Sequence, residues 1–211
     1  MKLTRDPYSI VAKGALGCFL SHVRAWEKIK FGRSPLALVL EDDARLTAPE
    51  ILLGIEFPPE LELIFCNDRT QPHDFIKEGS ASVIPTFSPL ELSLSAIDRR
   101  ARAVGTDGYL ITQSGAGRLI EALRSDLYFS HVDLRLLQYS TDPALVEAHL
   151  DADSRTRKVL QQISSACPSG MRLSASVLTP NILSHNAGTV TTRTREDQLG
   201  LSGADPANRS T

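Results

Sequence analysis

The sequence predicts an α/β fold in which short buried strands alternate with amphipathic helices. Two continuous apolar runs, LALVL at residues 36–40 and LELIFC at residues 61–66, have the length of strands covered on both faces. Residues 14–31 instead carry apolar side chains at helical spacing, with charged side chains mostly on the other face. Strand and helix patterns in this succession are typical of an α/β sheet.

Further elements follow along the chain. Gly32 ends the first helix, and Pro35 prevents its continuation. Ser114 is expected to cap a later helix, because its hydroxyl can accept a backbone N–H of the first turn. Shorter patterns indicate the remaining elements: a helical turn at 49–53, irregular structure or a short hairpin at 74–102, a strand or an interrupted pair at 103–112, helices at 116–124, 131–139, 144–150 and 156–163, and a strand at 173–178.

Length and composition describe an ordinary globular protein. The 211 residues are enough for a sizeable core, and we expect a single domain over residues 1–185 followed by a flexible tail over residues 186–211. Hydrophobic residues make up 42% of the chain and charged residues 23%, and the formal net charge is -2. No basic surface for nucleic acid is therefore indicated.

The cysteines and the apolar runs bear on the cellular compartment. Cys18, Cys66 and Cys167 are odd in number and far apart, which argues against a disulfide framework and for a reducing compartment. The first residues lack the features of a signal peptide, and nowhere do about 18 apolar residues follow one another. The sequence therefore predicts a cytoplasmic protein and leaves open a peripheral association with the inner face of the membrane.

Glu41, Asp42 and Asp43 directly follow the first apolar run and are the strongest functional signal in the chain. Adjacent carboxylates repel one another unless a cation, water or hydrogen bonds compensate. Hard oxygen ligands suit Mg²⁺ or Mn²⁺, and ligands of open α/β sheets bind beyond the carboxyl ends of the strands. A metal-diphosphate site and a solvated loop with an Asp as a helix cap are both compatible with these residues.

Three segments occur in one order and carry a resemblance to a known family. They are GALGCFLSHVRAWEKI at residues 14–29, LALVLEDDA at 36–44 and GTDGYLITQSGAGRLIEAL at 105–123, with PNILSHNAGTVTTR at 180–193 as a closing motif. In this combination the chain resembles glycosyltransferase family 25, which includes lipopolysaccharide and lipooligosaccharide glycosyltransferases and the collagen galactosyltransferases. The resemblance implies a GT-A-like (Rossmann-like) mixed sheet flanked by helices, with the family's N-terminal strand missing.

The resemblance also implies an activity. This is the metal-dependent, inverting transfer of a sugar, often galactose, from a nucleotide-sugar donor such as a UDP-sugar to a lipopolysaccharide or other surface glycan. Mn²⁺ or Mg²⁺ would bridge the donor diphosphate and neutralise the charge that develops as the nucleoside diphosphate leaves. Asp42 and Asp43 would be the metal ligands, with Glu41 as a weaker third acidic group. The expected partners are therefore a nucleotide sugar and a glycan or glycolipid acceptor.

Inversion requires a base near the acceptor hydroxyl, and the resemblance makes Asp133 the candidate catalytic residue. A second interpretation, equally open, is that Asp133 caps the helix that follows it. For Ser21 and His22 the alternative is an inward polar pair, and for Tyr109 it is simple packing. The resemblance implies donor-binding roles for six residues that match the family's motifs: Ser21, His22, Glu41, Gly105, Thr106 and Tyr109.

Two further signals are weaker. Asp151 and Asp153 also spell DxD, but they precede SRTRK in a helical pattern and are expected to be a solvated helix start. His185 corresponds to the late histidine that is a metal ligand in some GT-A enzymes, whereas a lone histidine is more often an ordinary surface residue.

Two departures from the family pattern support a function of a different class. Only 13 residues precede the first matching segment, where the family has a strand and an arginine-bearing loop that hold the nucleotide. Ala15 stands where the family usually has an acidic residue. The alternative hypothesis is therefore a truncated, non-catalytic glycosyltransferase-like binding module. A metal-dependent phosphoesterase would leave the helix and GYLI segments unexplained.

Overall fold

The computed structural model describes residues 13–67, 86–91, 106–125, 131–167, 170–179 and 181–185. Within these ranges a mixed β-sheet is flanked by helices, which confirms the predicted α/β fold class with a Rossmann-like mixed sheet. The described elements are α1 (Lys13–Lys30), β1 (Leu36–Leu40), β2 (Ala44–Leu46), a 3₁₀-helix (Pro49–Leu53), β3 (Leu63–Phe65), β4 (Thr86–Pro89), β5 (Gly108–Thr112), α2 (Gln113–Ser125), α3 (Val132–Ser140), α4 (Pro143–His149), α5 (Arg155–Ser165), β6 (Ala175–Thr179) and β7 (Leu183–His185).

The main sheet of the described residues has the strand order β1-β5-β3-β6-β4. β5 is antiparallel to both β1 and β3, and β6 is parallel to β3, so β1, β3 and β6 run in one direction. Leu40 pairs with Gly108, and Phe65 pairs with Tyr109, so β1 and β3 end where β5 begins. We call this the carboxyl edge of the sheet. The acidic segment after β1 and the segment before β5 therefore meet there.

Side chains of the sheet alternate between two hydrophobic clusters, one on each face. On the face covered by helices, Tyr109 and Ile111 of β5 belong to a core that includes Trp26 of α1 and Leu119 of α2. On the other face, Leu110 packs with side chains of the 3₁₀-helix and of the segment after it. The apolar pattern of the central strands is therefore explained by burial on both faces, as predicted, and Tyr109 faces α1.

The outer strands of this sheet are less buried than the central ones. The apolar run of β1 predicted a strand buried on both faces, but four of its residues are half-buried and Leu40 is exposed, because β1 is the first strand in the described order. β4 is the last strand in this order, and a proline such as Pro89 is tolerated on the outermost strand of a sheet. β2 and β7 form a separate antiparallel ribbon that the sequence did not indicate.

The start of α2 corrects one prediction. The helix begins at Gln113, and the N–H of Gly115 donates to Thr112 Oγ1 at 3.0 Å. The cap is therefore Thr112 and not Ser114, which lies inside the first turn. Gly115 is also required by close packing, because a Cβ there would lie 2.7 Å from the carbonyl oxygen of Glu62.

The second DxD sequence lies where the sequence predicted. Asp151 and Asp153 are exposed in the turn before α5. The cap of that helix is Ser154, whose Oγ accepts the N–H of Arg157 at 3.0 Å. These two carboxylates are therefore solvated residues at a helix start.

Several predictions fall outside the described residues. They concern the missing N-terminal strand, most of residues 74–102, Gly105, and the tail at residues 186–211. Among the helices that the structure describes, none is both long and apolar enough to cross a membrane.

Candidate active site

Residues 41–43 form a turn at the end of β1. The N–H of Glu41 donates to the carbonyl oxygen of Asp107 at 2.9 Å, and the N–H of Ala44 donates to the carbonyl oxygen of Glu41 at 3.2 Å. The turn directs Asp43 into the protein, where it is 8% exposed, and leaves Glu41 half-buried. Asp42 is exposed between them. Three adjacent carboxylates therefore occupy three different environments.

Glu41, Asp43 and Asp107 converge at the carboxyl edge, and we call these three residues the acidic cluster. One carboxylate oxygen from each lies within 4.8 Å of the others. Asp107 is 1% exposed and directly precedes β5. Carboxylate oxygens in this number and spacing are hard ligands that can hold Mg²⁺ or Mn²⁺. Of the two residues predicted as metal ligands, the cluster includes Asp43, whereas Asp42 lies outside it.

Asp107 is a site residue that the sequence patterns did not indicate. It precedes a strand, and in a parallel sheet that end faces away from the usual ligand-binding edge. Because β5 is antiparallel to β1, however, its first residue comes to the carboxyl edge. The direction of β5 is therefore the information that would have identified Asp107.

Thr106 lies between two carboxyl groups. Its Oγ1 is 2.5 Å from Glu41 Oε1 and 2.6 Å from Asp133 Oδ1. The hydroxyl has one proton and donates to one acceptor at a time, so Thr106 can bond to either carboxylate and links the two. Asp133 lies in the first turn of α3, after the helix has begun at Val132, so the interpretation of Asp133 as the cap is wrong. The helix dipole favours a negative charge at this position.

A buried network joins the acidic cluster to α1. Trp26 Nε1 donates to the hydroxyl oxygen of Tyr109 at 2.8 Å, and His22 Nδ1 lies 2.7 Å from the same oxygen. His22 Nε2 lies 3.3 Å from Glu41 Oε1. Trp26 and Tyr109 are fully buried, and His22 is 4% exposed. Tyr109 is therefore packed in the interior, and its hydroxyl contacts protein side chains.

Cys18 lies one helical turn before His22, with its Sγ 4.0 Å from Glu41 Oε1. Burial, and after it the neighbouring carboxylates, raise the pKa of Cys18 to about 12. The thiol is therefore protonated at neutral pH and acts as a weak donor to Glu41. Burial also raises the pKa of Tyr109 above its usual range, so its hydroxyl keeps its proton.

The structure does not place the remaining three predicted residues, Ser21, His185 and Gly105, in the acidic cluster. Ser21 is exposed, and its hydroxyl donates to the carbonyl oxygen of Gly17 in the same helix at 2.9 Å. The backbone of His185 pairs with Ala44 in the β2–β7 ribbon. Gly105 lies outside the described residues, directly before Thr106.

The structure thus describes an α/β protein with a cluster of carboxylates at the carboxyl edge of its sheet. The family model described as "Glycosyltransferase family 25 (LPS biosynthesis protein)" matches residues 3–134, which is more than half of the chain. The chain therefore belongs to glycosyltransferase family 25, as the three ordered segments predicted.

A curated relative is similar over part of the chain. The "Probable inactive glycosyltransferase 25 family member 3" of Bos taurus is 28% identical over 120 residues. The match covers 55% of this chain and 19% of the relative. The chain thus corresponds to a minor part of that longer protein.

Proposed function

We propose that this chain is a metal-dependent, inverting glycosyltransferase. It transfers a sugar, with galactose as the first candidate, from a UDP-sugar to a lipopolysaccharide or other surface glycan. Membership of the family supports the sugar transfer, and the family's description supports the class of acceptor. The proposed place of action is the cytoplasm, with peripheral contact at the inner face of the membrane, where a lipid-linked acceptor would lie.

The convergence of the acidic cluster is the observation that carries the proposal. Glu41, Asp43 and Asp107 would hold Mn²⁺ or Mg²⁺, because their donor atoms are all carboxylate oxygens. When bound, the cation supplies charge neutralisation for the leaving diphosphate. The protein must keep three like charges together, and the hydrogen bond from the N–H of Glu41 to Asp107 joins two of the segments that carry them. The exposed Asp42 is assigned to the donor ribose.

Asp133 is the proposed base. It would accept the proton of the acceptor hydroxyl as that oxygen forms its bond to the sugar. Two features hold it ready: the dipole of α3 favours its charged form, and Thr106 contacts its Oδ1. Because Thr106 also contacts Glu41, a second role for Asp133 is to support the acidic cluster.

The experiment is a transfer assay with the purified chain, UDP-galactose or another nucleotide sugar, Mn²⁺ and a glycolipid acceptor, in which the released nucleoside diphosphate is measured. We expect Asp43→Asn to abolish release. The matched control is Asp151→Asn combined with Asp153→Asn, which changes the exposed DxD sequence and should leave the rate unchanged. Release by Asp43→Asn at the wild-type rate would reject the metal site.

One observation favours a second candidate function. The name of the Bos taurus relative describes that protein as probably inactive, and this chain would then be a module that binds a nucleotide or glycan without transferring a sugar. Calorimetry with UDP and Mn²⁺, performed beside the assay, separates the two functions. Binding without transfer from any donor supports the module, and transfer rejects it.

A further inference from the structure

We propose that Trp26 and Tyr109 are positioning residues that hold the ring of His22 in the tautomer with its proton on Nε2. In that state His22 donates a hydrogen bond to Glu41 and orients its carboxylate. The orientation of a metal ligand rests on the proposed function, whereas the tautomer does not. Both follow from the donors and acceptors of the buried network.

Trp26 determines the direction of the network, because an indole nitrogen can only donate. Its N–H occupies one lone pair of the Tyr109 oxygen at 2.8 Å. Tyr109 has one proton of its own, and its hydroxyl can donate it to one acceptor. His22 Nδ1 lies 2.7 Å from the same oxygen and is placed to accept a hydrogen bond from the hydroxyl. The hydrogen bond between these two residues therefore runs from Tyr109 to His22.

The direction of this hydrogen bond determines whether His22 can donate to Glu41. A neutral imidazole that accepts at Nδ1 carries its proton at Nε2, which lies 3.3 Å from Glu41 Oε1. If His22 donated from Nδ1 instead, the Tyr109 oxygen would receive two donors and its own proton would need a different acceptor in a fully buried site. The donation therefore runs in one direction, from Trp26 through Tyr109 and His22 to Glu41.

Three donors then contact one oxygen of Glu41. His22 Nε2, Thr106 Oγ1 and Cys18 Sγ all approach Oε1, from α1 and from the segment before β5. Because Oε1 is held, the rotation of the carboxylate is fixed, and with it the direction of Oε2 relative to the rest of the acidic cluster. Groups that orient a metal ligand in this way typically contribute about 10–100-fold to metal affinity.

The hydrogen-bond network also bears on whether Cys18 and His22 of α1 form a second metal site with Glu41. Cys18, His22 and Glu41 lie close enough to hold a softer ion such as Zn²⁺. Such an ion would need a thiolate and a bare Nε2. The network places the proton on Nε2, so that nitrogen has no free lone pair to offer a metal. These residues are therefore assigned to orient Glu41 and not to bind a metal of their own.

The tautomer can be measured directly in the metal-free protein. A long-range ¹H–¹⁵N correlation spectrum distinguishes protonated from bare ring nitrogens, and His22→Gln identifies the signals of His22. We expect a protonated Nε2 and a bare Nδ1 in the wild-type chain. A protonated Nδ1, with or without a proton on Nε2, would overturn the proposal whether or not the chain transfers sugar.

Two variants test the positioning role. Tyr109→Phe keeps the buried ring and removes the hydroxyl, so we expect the tautomer preference to be lost and the affinity for Mn²⁺ in the presence of UDP to fall about tenfold or more. Trp26→Phe is the matched variant, because it removes the indole donor that fixes the direction and leaves the hydroxyl of Tyr109 beside His22. It should weaken the tautomer preference and lose less affinity than Tyr109→Phe.

The outcomes are distinguishable. Equal affinity for Mn²⁺ in Tyr109→Phe and the wild-type chain overturns the positioning role. A wild-type chain that binds no Mn²⁺ overturns the proposed metal site and the positioning role with it, while the tautomer is decided by the spectrum alone. Zn²⁺ binding that removes the proton from Nε2 of His22 overturns the assignment in favour of the softer site.

Discussion

Two glutamates lie at opposite edges of the main sheet. Glu41 follows β1 at the carboxyl edge. Glu91 follows β4, in which Pro89 pairs with Ser176 near the start of β6, so Glu91 lies at the other edge. Glu91 is 3% exposed, and its Oε1 accepts the N–H of Asp142 at 2.6 Å. Burial raises the pKa of Glu91. Of the two glutamates, the more deeply buried one, Glu91, therefore lies outside the acidic cluster.

The surroundings of the two side chains differ in kind. Glu41 receives side-chain donors from two elements and has two acidic neighbours in the cluster. Glu91 lines a cleft of about 660 Å³ and bonds to the backbone at the start of α4, where Asp142 is the cap. Its contact stabilises the position of a helix. Burial of a carboxyl group alone thus does not indicate a functional site, whereas convergence of several polar side chains makes Glu41 part of a candidate site.

After Asp43→Asn, the largest expected effect at the carboxyl edge is that of Asp133→Asn. If Asp133 is the base, kcat falls by about 10²–10⁴-fold while the affinity for Mn²⁺ is unchanged, because the amide cannot take the acceptor's proton. Steady-state kinetics at saturating Mn²⁺ measures this, with Asp153→Asn as the control at an exposed position. A kcat restored by excess Mn²⁺ would show that Asp133 supports the acidic cluster instead.

The next largest effect tests whether Asp107, as the structure indicates, or Asp42, as the sequence predicted, is a metal ligand together with Asp43. We expect Asp107→Asn to lower the affinity for Mn²⁺ in the presence of UDP by about tenfold or more, because Asp107 is buried within the cluster. Asp42→Asn should lose clearly less affinity for the cation, since Asp42 is exposed, its charge is screened and its assigned contact is the ribose. Titration followed by the Mn²⁺ paramagnetic resonance signal provides the comparison. A larger loss for Asp42→Asn would restore the original assignment.

A smaller effect, on stability, is expected at Thr106, whose hydroxyl lies between the carboxyl groups of Glu41 and Asp133. Thr106→Val keeps the shape of the side chain but removes the contacts with Glu41 and Asp133, so we expect the free energy of unfolding to fall by about 1–3 kcal/mol. Thr106→Ser keeps the hydroxyl and should retain most of the stability. Urea denaturation with an unchanged m-value measures both variants. Equal stability of the two would mean that the hydroxyl makes no net contribution.

The smallest effect is expected at the other edge. The pKa of Glu91 in the folded chain is raised above its ordinary value of 4.5, so the folded state binds more protons and its stability falls as pH rises through the interval above that value. Glu91→Gln can still accept the N–H of Asp142 and lacks the charge. Its stability relative to wild type should therefore increase from about pH 4 to pH 7, as measured by urea denaturation. A difference that does not change with pH would contradict this.

Much of the main sheet could be predicted because apolar periodicity is a local property of the sequence. The runs of β1 and β3 and the helix α1 all carry it. The β2–β7 ribbon could not be predicted, since three-residue strands are too short to show a period. The cap of α2 was misplaced for a related reason: Thr112 and Ser114 are both suitable caps, and only the start of the helix decides between them.

The site was predictable only in part. The rule that ligands bind where strands end identified Glu41 and Asp43 as candidates. Asp107 depends on the direction of β5, and the exposure of Asp42 depends on the turn after β1. Trp26 was indicated only as an apolar residue of α1. Its contact with Tyr109 is a consequence of tertiary packing, which residue patterns do not encode.

The position of Trp26 has an optical consequence. It is the single tryptophan of the chain, and its indole N–H is bonded to the hydroxyl of Tyr109. Light absorbed selectively by tryptophan therefore excites one chromophore, two hydrogen bonds away from His22 Nε2 and the carboxylate beyond it. We expect a ligand that moves Glu41 to alter the emission of that indole. The indole can therefore serve as an intrinsic fluorescent reporter, and binding at the acidic cluster can be followed without a label.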